Sequence, residues 1–167
     1  MNAIADLLIR HKAIEFGDFT LASGAKSRYY VDVKTAVTHP DFLAAIAQEI
    51  AERYDFEVVA GVAVGGIPLA VATALAAQKP FAIIRAEEKD HGKKSRIIGD
   101  VKGKDILLVE DVTTSGGSAL YGISVLRNAG ARASRVVTVV DREQGAAATL
   151  KEQAIDLYPL VRVSEIL

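Results

Sequence analysis

Residues 105–118 constrain the possible folds of this chain more than any other stretch. They begin with the apolar run 106–109, which is too short and too uniform for an amphipathic helix. The run predicts a strand buried on both faces, as in a parallel sheet. Two carboxylates, Glu110 and Asp111, follow at the end of that strand, where α/β sheets form their binding crevices. A helix is predicted next, over residues 119–129.

Between the two acids and that helix lies a loop of small residues. Its hydroxyl and backbone N–H groups could wrap a phosphate at the start of the helix. Carboxylates beside a phosphate repel it, unless the ligand also offers hydroxyls, a metal ion or a developing positive charge. A sugar phosphate that reacts through a cationic transition state meets all three conditions. The loop has no Lys before the helix, so it is not a P-loop and a nucleotide kinase is disfavoured.

This stretch resembles the motif with which type I phosphoribosyltransferases bind 5-phosphoribosyl 1-diphosphate (PRPP). The resemblance implies that the acids hold the ribose hydroxyls and that the loop holds the 5′-phosphate. An ordinary strand–turn–helix is the alternative. The implied PRPP-binding residues of this stretch are Glu110, Asp111, Val112, Thr113, Thr114, Ser115, Gly116, Gly117 and Ser118.

A hairpin is predicted near the start of the chain, because residues 13–33 alternate with a period of two around a Ser23-Gly24 turn. Segment 19–32 resembles the hood of the orotate phosphoribosyltransferases. In that family two adjacent aromatics help to hold the pyrimidine, and Tyr29 and Tyr30 match them. Ala22 stands where many members carry a Lys. The alternative is that both tyrosines are core aromatics of the hairpin.

A glycine pair follows another predicted buried strand, residues 58–64, and precedes a helix predicted from about residue 69. Glycines at this position let backbone N–H groups approach a ligand closely. The loop Val64, Gly65, Gly66 resembles the pyrophosphate loop of the same family, which adds these residues to the PRPP-binding set. Many members carry a Lys in place of Gly65. A tight strand-to-helix turn without a ligand is the alternative.

Residues 85–99 form the most polar segment, with five Lys/Arg against three acids between residues 85 and 96. Such a segment is often only a solvated loop. Here Lys89-Asp90-His91-Gly92 resembles the Lys-x-His-Gly core of the family's catalytic loop, and Ala86 departs from a common Lys. The resemblance implies that Arg85, Lys89 and His91 contact PRPP. It also implies that Lys89 and His91 are catalytic beside Glu110 and Asp111, and that the loop serves the neighbouring subunit of a homodimer.

Arg142 follows the predicted strand 136–140 and lies in a segment resembling the one where the family recognises the pyrimidine carbonyls. A guanidinium suits such planar paired acceptors, although a surface salt bridge is the alternative. The orotate-binding set implied by the resemblance is Tyr29, Tyr30, Thr114 and Arg142.

Apolar strands that alternate with helices predict a doubly wound α/β fold with a parallel sheet flanked by helices. We expect one domain over 1–167, with a hood at 13–37, a core at 38–167 and a mobile catalytic loop at 85–99. Thr38 is expected to cap a helix over 38–54. Pro159 predicts that the last strand, 155–163, lies at an edge.

The implied reaction joins orotate to PRPP, giving orotidine 5′-monophosphate and pyrophosphate in pyrimidine (UMP) biosynthesis. The implied cofactor is Mg²⁺, held mainly by PRPP, with Asp111 as the candidate protein ligand. Two alternatives remain. One is another type I phosphoribosyltransferase that uses a purine or uracil. The other is a non-catalytic regulator that senses PRPP, although the net charge of −1 disfavours nucleic-acid binding.

The composition excludes cysteine chemistry, and the hydropathy pattern indicates a location in the cell. The chain has no cysteine, so neither a disulfide framework nor a thiol nucleophile is available. No apolar run reaches transmembrane length, and a start with Asp6 in its first turns does not resemble a signal peptide. We therefore expect a cytoplasmic protein that binds no membrane.

Overall fold

The computed structural model describes residues 2–87 and 95–167. In chain order its elements are α1 (Ala3–Arg10), β1 (Ile14–Thr20), β2 (Lys26–Val31), α2 (Val33–Ala36), α3 (Pro40–Arg53), β3 (Val58–Val62), α4 (Gly66–Ala77), β4 (Phe81–Ile84), β5 (Ile97–Ile98), β6 (Asp105–Thr113), α5 (Gly117–Asn128), β7 (Arg132–Asp141), α6 (Ala146–Lys151), β8 (Asp156–Arg162) and the 3-10 helix Val163–Glu165. Within the described ranges, no helix has the length and apolar character needed to cross a bilayer.

The central sheet has six strands in the order β5-β4-β3-β6-β7-β8. Strands β4, β3, β6, β7 and β8 are parallel, and β5 pairs antiparallel with β4 at one edge. The strand that contains Pro159 is β8, at the other edge, as predicted. The doubly wound α/β fold is confirmed.

Helices cover both faces of the sheet because the strands are apolar on both sides. Alternate residues of β6 show this: Leu107 and Val109 belong to the core with α1, α3 and α4, whereas Ile106 and Leu108 belong to the core with α5. All four side chains are fully buried. The continuous apolar run in the sequence therefore reflects burial on two faces, as expected for a central parallel strand.

The hood consists of β1 and β2, which form a separate antiparallel hairpin. The short helix α2 follows, and Asp32 caps it by accepting hydrogen bonds from the Thr35 backbone N–H at 3.3 Å and from its hydroxyl at 2.7 Å. Val33 and Ala36 are buried in the core. The residues after the hood are thus fixed against the sheet and not left as a linker.

Several boundaries differ from the prediction. The cap of α3 is His39 with Pro40 in the first turn, whereas the Thr38 hydroxyl donates to the Thr35 carbonyl at 2.6 Å. Proline suits the first helical position because its missing N–H would be unpaired there anyway. Helix α4 already begins at Gly66 and not at residue 69. The predicted loop 85–99 ends in strand β5.

Candidate active site

The loops that follow β3, β6 and β7 lie at the same edge of the sheet, because the carboxyl ends of parallel strands share one rim. Hydrogen bonds join the β6 and β7 loops directly. The buried Thr113 hydroxyl donates to Asp141 Oδ1 at 3.0 Å, and the Arg142 N–H donates to the Thr113 carbonyl at 2.9 Å. The predicted phosphate loop and the predicted pyrimidine-binding arginine are therefore held as one unit.

Glu110 and Asp111 lie inside β6, which continues to Thr113 and does not end before the acids as predicted. They point to opposite faces of the sheet because they are successive residues of a strand. Glu110 is only 5% exposed and accepts a hydrogen bond from the Ser118 hydroxyl at 3.2 Å. Asp111, 6% exposed, accepts from the Lys34 ammonium at 2.8 Å and from the Val112 N–H at 2.9 Å.

The β3 loop approaches these acids as bare backbone. A Cβ added to Gly65 would lie 2.7 Å from Cγ of Asp111, so no side chain fits there without displacing that carboxylate. A Cβ added to Gly61 would lie 2.6 Å from the backbone carbon of Gly66. The two glycines therefore let the first turn of α4 pack directly on β3 and let the loop backbone lie against the Asp111 carboxylate.

The phosphate loop precedes α5, whose first backbone N–H groups have no partner within the helix. Gly116 has a φ of +92° and sits against Ala146, with 3.2 Å between a Cβ placed on it and the Ala146 Cα. A side chain would be strained there by both the backbone angle and the contact. Thr114, Ser115 and Ser118 are exposed, so their hydroxyls are accessible to a ligand.

Arg142 reaches from the β7 loop to the hood, where its Cζ lies 4.9 Å from the ring centroid of Tyr29. Its Nε is buried, and no acceptor in the described chain lies within hydrogen-bond distance. The structure thus brings Tyr29 to Arg142. It does not bring Tyr30, which is 46% exposed and packs against Phe19 with 5.8 Å between ring centroids. Alternation along β2 separates the two tyrosines.

The predicted catalytic loop leaves the sheet beside α5. The Tyr121 hydroxyl donates to the Arg85 carbonyl at 2.6 Å, and the Arg96 guanidinium lies 5.6 Å from the Tyr121 ring centroid. The Arg85 N–H also donates to the Arg96 carbonyl at 2.7 Å. The two ends of the segment are therefore joined to each other and to the helix that follows the phosphate loop. Lys89 and His91 lie outside the described residues.

Burial raises the pKa of Glu110 to about 7, and the adjacent Asp111 carboxylate adds to the rise. The Ser118 hydrogen bond and the Lys34 charge act in the opposite direction. In the protein without substrate, Glu110 therefore exchanges its proton near neutral pH. The site combines a buried, easily protonated acid with a second acid that is already paired with a cation.

We expect Glu110→Gln to stabilise the substrate-free protein at pH 8 but not at pH 4. The folded pKa lies above the unfolded one, so the folded state binds more protons and loses stability as pH rises from about 4.5 to about 7. A neutral glutamine removes this loss, which is on the order of 2–3 kcal/mol. Thermal unfolding of both proteins, without divalent cations, measures the difference. An equal effect at both pH values would contradict the assignment.

Lys34 was not predicted as a site residue, although it makes the ion pair with Asp111. A single Lys among Val33, Thr35 and Ala36 has no motif around it. The only local sign is Asp32, an N-cap residue type that predicts a helical turn after the hood. Its contact with Asp111 depends on how α2 packs against β6, which no local pattern specifies.

Comparison with known proteins identifies the family. The model of the phosphoribosyl transferase domain matches residues 32–154. The orotate phosphoribosyltransferase of Methanocorpusculum labreanum is 64% identical over 167 residues, which is 100% of this chain and 99% of that protein. The Aeropyrum pernix orotate phosphoribosyltransferase structure has a TM-score of 0.84 at 31% identity, covering 98% of this chain and 96% of that one.

A further structure is the Mycobacterium tuberculosis orotate phosphoribosyltransferase in complex with PRPP. It has a TM-score of 0.72 at 29% identity and covers 83% of each chain. The family model includes the acids, the phosphate loop and the start of the β7 loop, and the relatives match the hood as well. Identity of this extent over the full chain leaves no ambiguity: the chain belongs to the orotate phosphoribosyltransferases, within the phosphoribosyl transferase domain family.

Proposed function

We propose that the rim formed by the β3, β6 and β7 loops transfers the 5-phosphoribosyl group of PRPP to orotate. The products are orotidine 5′-monophosphate and pyrophosphate. The observation that carries this proposal is the direct hydrogen bonding between the phosphate loop and the Arg142 loop, through Thr113 and Asp141. It places the elements proposed for the two substrates side by side. A transfer between bound substrates needs that proximity.

PRPP is proposed to bind along β6 and α5. The exposed hydroxyls of Thr114, Ser115 and Ser118 and the first N–H groups of α5 suit the 5′-phosphate. Glu110 and Asp111 suit the ribose hydroxyls, because carboxylates accept hydrogen bonds from them. The backbone at Gly65, which lies directly against Asp111, is proposed to offer its N–H group to the diphosphate.

Orotate is proposed to bind between the hood and the β7 loop. The buried Arg142 Nε lacks an acceptor, and the pyrimidine carbonyls would supply one. The Tyr29 ring beside the guanidinium provides an apolar surface for a flat heterocycle. Thr114 is likewise a prediction for this role. Tyr30 remains a prediction for this role, and its position on the other side of the hairpin does not support a direct contact.

Mg²⁺ is proposed as the cofactor, bound chiefly to the diphosphate. In the described residues, no three His, Asp or Glu side chains converge into a protein cage for a metal ion. The Asp111 carboxylate oxygens beside Gly65 nevertheless suit a hard cation, so Asp111 fits as a contact to Mg²⁺. When bound, the ion neutralises the diphosphate as it leaves.

The chain's own contribution is positioning and electrostatic stabilisation. As the bond from C1 to the diphosphate breaks, positive charge develops on the ribose, and the two acids, each reaching the rim from its own face of β6, are proposed to stabilise it. Orotate is already an anion, so no strong base is needed. Arg142 and Tyr29 orient its ring nitrogen toward C1, and the loop 85–99 supplies cations to the leaving group. Burial of both acids strengthens these interactions compared with water.

We expect Lys89→Ala to reduce turnover far more than PRPP binding, because the ammonium is proposed to contact charge that develops on the departing pyrophosphate. A fall in kcat on the order of 10²-fold, with KM for PRPP changed by less than about threefold, is expected. Steady-state kinetics measures both. Equal losses in kcat and in PRPP binding, or no loss at all, would contradict the proposed contact of Lys89 with the departing pyrophosphate.

A homodimer with a shared loop makes a sharper test possible. If Lys89 serves the partner's site, mixing the inactive Lys89→Ala and Asp111→Asn proteins should restore activity. With equal amounts, half of all dimers would be mixed and each of these would hold one intact site, giving about a quarter of wild-type turnover. No recovery after complete subunit exchange would mean that the loop serves its own subunit, or that the protein is not a dimer.

An assay with labelled PRPP and a panel of bases tests the function itself. We expect consumption of orotate and formation of orotidine 5′-monophosphate, with uracil, adenine and hypoxanthine turned over at least about 100-fold more slowly. Adenine and hypoxanthine do not offer Arg142 the pair of pyrimidine carbonyls, and uracil lacks the carboxylate of orotate, so each leaves polar groups of the site unpaired. A preferred purine or uracil would show a different member of the wider family. PRPP binding without any turnover would favour the regulator.

A further inference from the structure

The cation that contacts the PRPP motif in this structure is Lys34, in the short helix after the hood. Its ammonium lies 2.8 Å from Asp111 Oδ2. Positions 22, 65 and 86 hold Ala, Gly and Ala, so no cation comes from them. A side chain at Gly65 would also collide with the Asp111 carboxylate. In the described part of the chain, Asp111 thus receives its positive partner from α2 and not from the β3 loop.

The geometry of Lys34 suits a group that exchanges partners. Its backbone is fixed, because Val33 and Ala36 are buried and Asp32 caps the helix. Its side chain is 64% exposed, whereas that of Asp111 is 8% exposed. The ammonium can therefore leave the acid for a neighbouring anion at little desolvation cost, while the acid cannot move away. The hydrogen bond with Asp111 raises the pKa of Lys34, which keeps it charged.

Ligand binding would favour such an exchange. Both Asp111 oxygens already accept hydrogen bonds, Oδ2 from Lys34 and Oδ1 from the Val112 N–H. A ribose hydroxyl that donates to Asp111 therefore shares or replaces the Lys34 contact. The displaced ammonium then has an alternative partner in the diphosphate, which carries more negative charge than one carboxylate.

We propose that Lys34 is a positioning and PRPP-specificity residue, which holds Asp111 in place in the free enzyme and transfers its ammonium to the diphosphate of PRPP on binding. This inference rests on the proposed function, because it takes the rim around Asp111 as the PRPP site. It assigns to α2 the role of neutralising an anionic substrate beside two carboxylates. Without that charge, Glu110 and Asp111 would repel the incoming diphosphate.

The test compares Lys34→Ala, Lys34→Gln and Lys34→Arg. We expect the Ala and Gln variants to raise KM for PRPP by about 10- to 30-fold, as loss of one charge-assisted hydrogen bond does. KM for orotate and kcat should stay within about threefold, and the Arg variant should recover most of the PRPP affinity. The matched control is Lys151→Ala, which removes a similar exposed pair with Asp156 at 2.9 Å, outside the site. It should change none of these constants.

Calorimetric titration of the same proteins with PRPP and with inorganic pyrophosphate gives a readout independent of turnover. Weaker binding of both probes to Lys34→Ala and Lys34→Gln supports the proposal. Unchanged or tighter PRPP binding would overturn it, as would an Arg variant no better than Ala. A lower melting temperature with unchanged PRPP affinity would show a purely structural ion pair. If wild-type protein binds PRPP but does not consume orotate, the proposed function fails, and the titrations still decide the role of Lys34.

Discussion

Asp111→Asn is expected to lower kcat by about 10²- to 10³-fold while the protein stays folded. The substitution removes a negative charge that is proposed to lie beside the ribose where positive charge develops, and such preorganised charges give effects of this size. Asparagine has nearly the same shape, and its one carbonyl oxygen can still accept from the Val112 N–H, while the exposed Lys34 ammonium can turn to water. The loss should therefore appear in turnover and not in stability. Steady-state kinetics and thermal unfolding measure the two quantities separately.

Asp105→Asn is the matched control, because Asp105 starts the same strand at the opposite end of the sheet. It is half-exposed and pairs with Arg135 at 3.5 Å. We expect wild-type turnover from this variant. The melting temperature of Asp111→Asn should stay within about 3 °C of wild type, the change expected for less than about 1 kcal/mol in a chain of this size. Full activity of Asp111→Asn would show that the acid is only structural.

Arg142→Ala is expected to raise KM for orotate by about 100-fold and to leave KM for PRPP within about threefold. The guanidinium lies against Tyr29 and has a buried Nε without an acceptor, so orotate would gain charge-assisted hydrogen bonds there. The KM for orotate of Arg142→Lys should lie between those of wild type and Arg142→Ala, because an ammonium keeps the charge but loses the planar pair of donors. Kinetics with each substrate varied separately measures these effects.

Arg132→Ala is the control for that series, since Arg132 begins β7 at the end of the strand remote from the site. Its guanidinium pairs with Glu57 at 3.1 Å on the surface. Both KM values of this variant should match wild type. A parallel rise in the two KM values of Arg142→Ala would indicate a collapsed loop instead of a lost orotate contact, because Asp141 and Thr113 link this loop to the phosphate loop.

The sequence was sufficient for the alternation of strands and helices along most of the chain and for the rim that they form, but α2 and β5 were not predicted. Runs such as 106–109 and 136–140 are apolar on both faces, which only a covered parallel sheet explains. The edge position of β8 followed from Pro159, which cannot donate a hydrogen bond within a central strand. The boundaries of helices and strands were less certain. At Gly66, for example, a glycine can end a loop or begin a helix, and packing against Gly61 decides that α4 begins there.

The sequence by itself determined the fold class, the rim and the motifs, because these depend on local periodicity and on residue types at strand ends. Only the tertiary structure decided which side chains meet. It placed Tyr29 and not Tyr30 against Arg142, and it brought Lys34 to Asp111 across 77 positions of the chain. Such contacts depend on how α2 and the hood pack on the sheet. Packing of distant elements leaves no periodic signal in the residues that it joins.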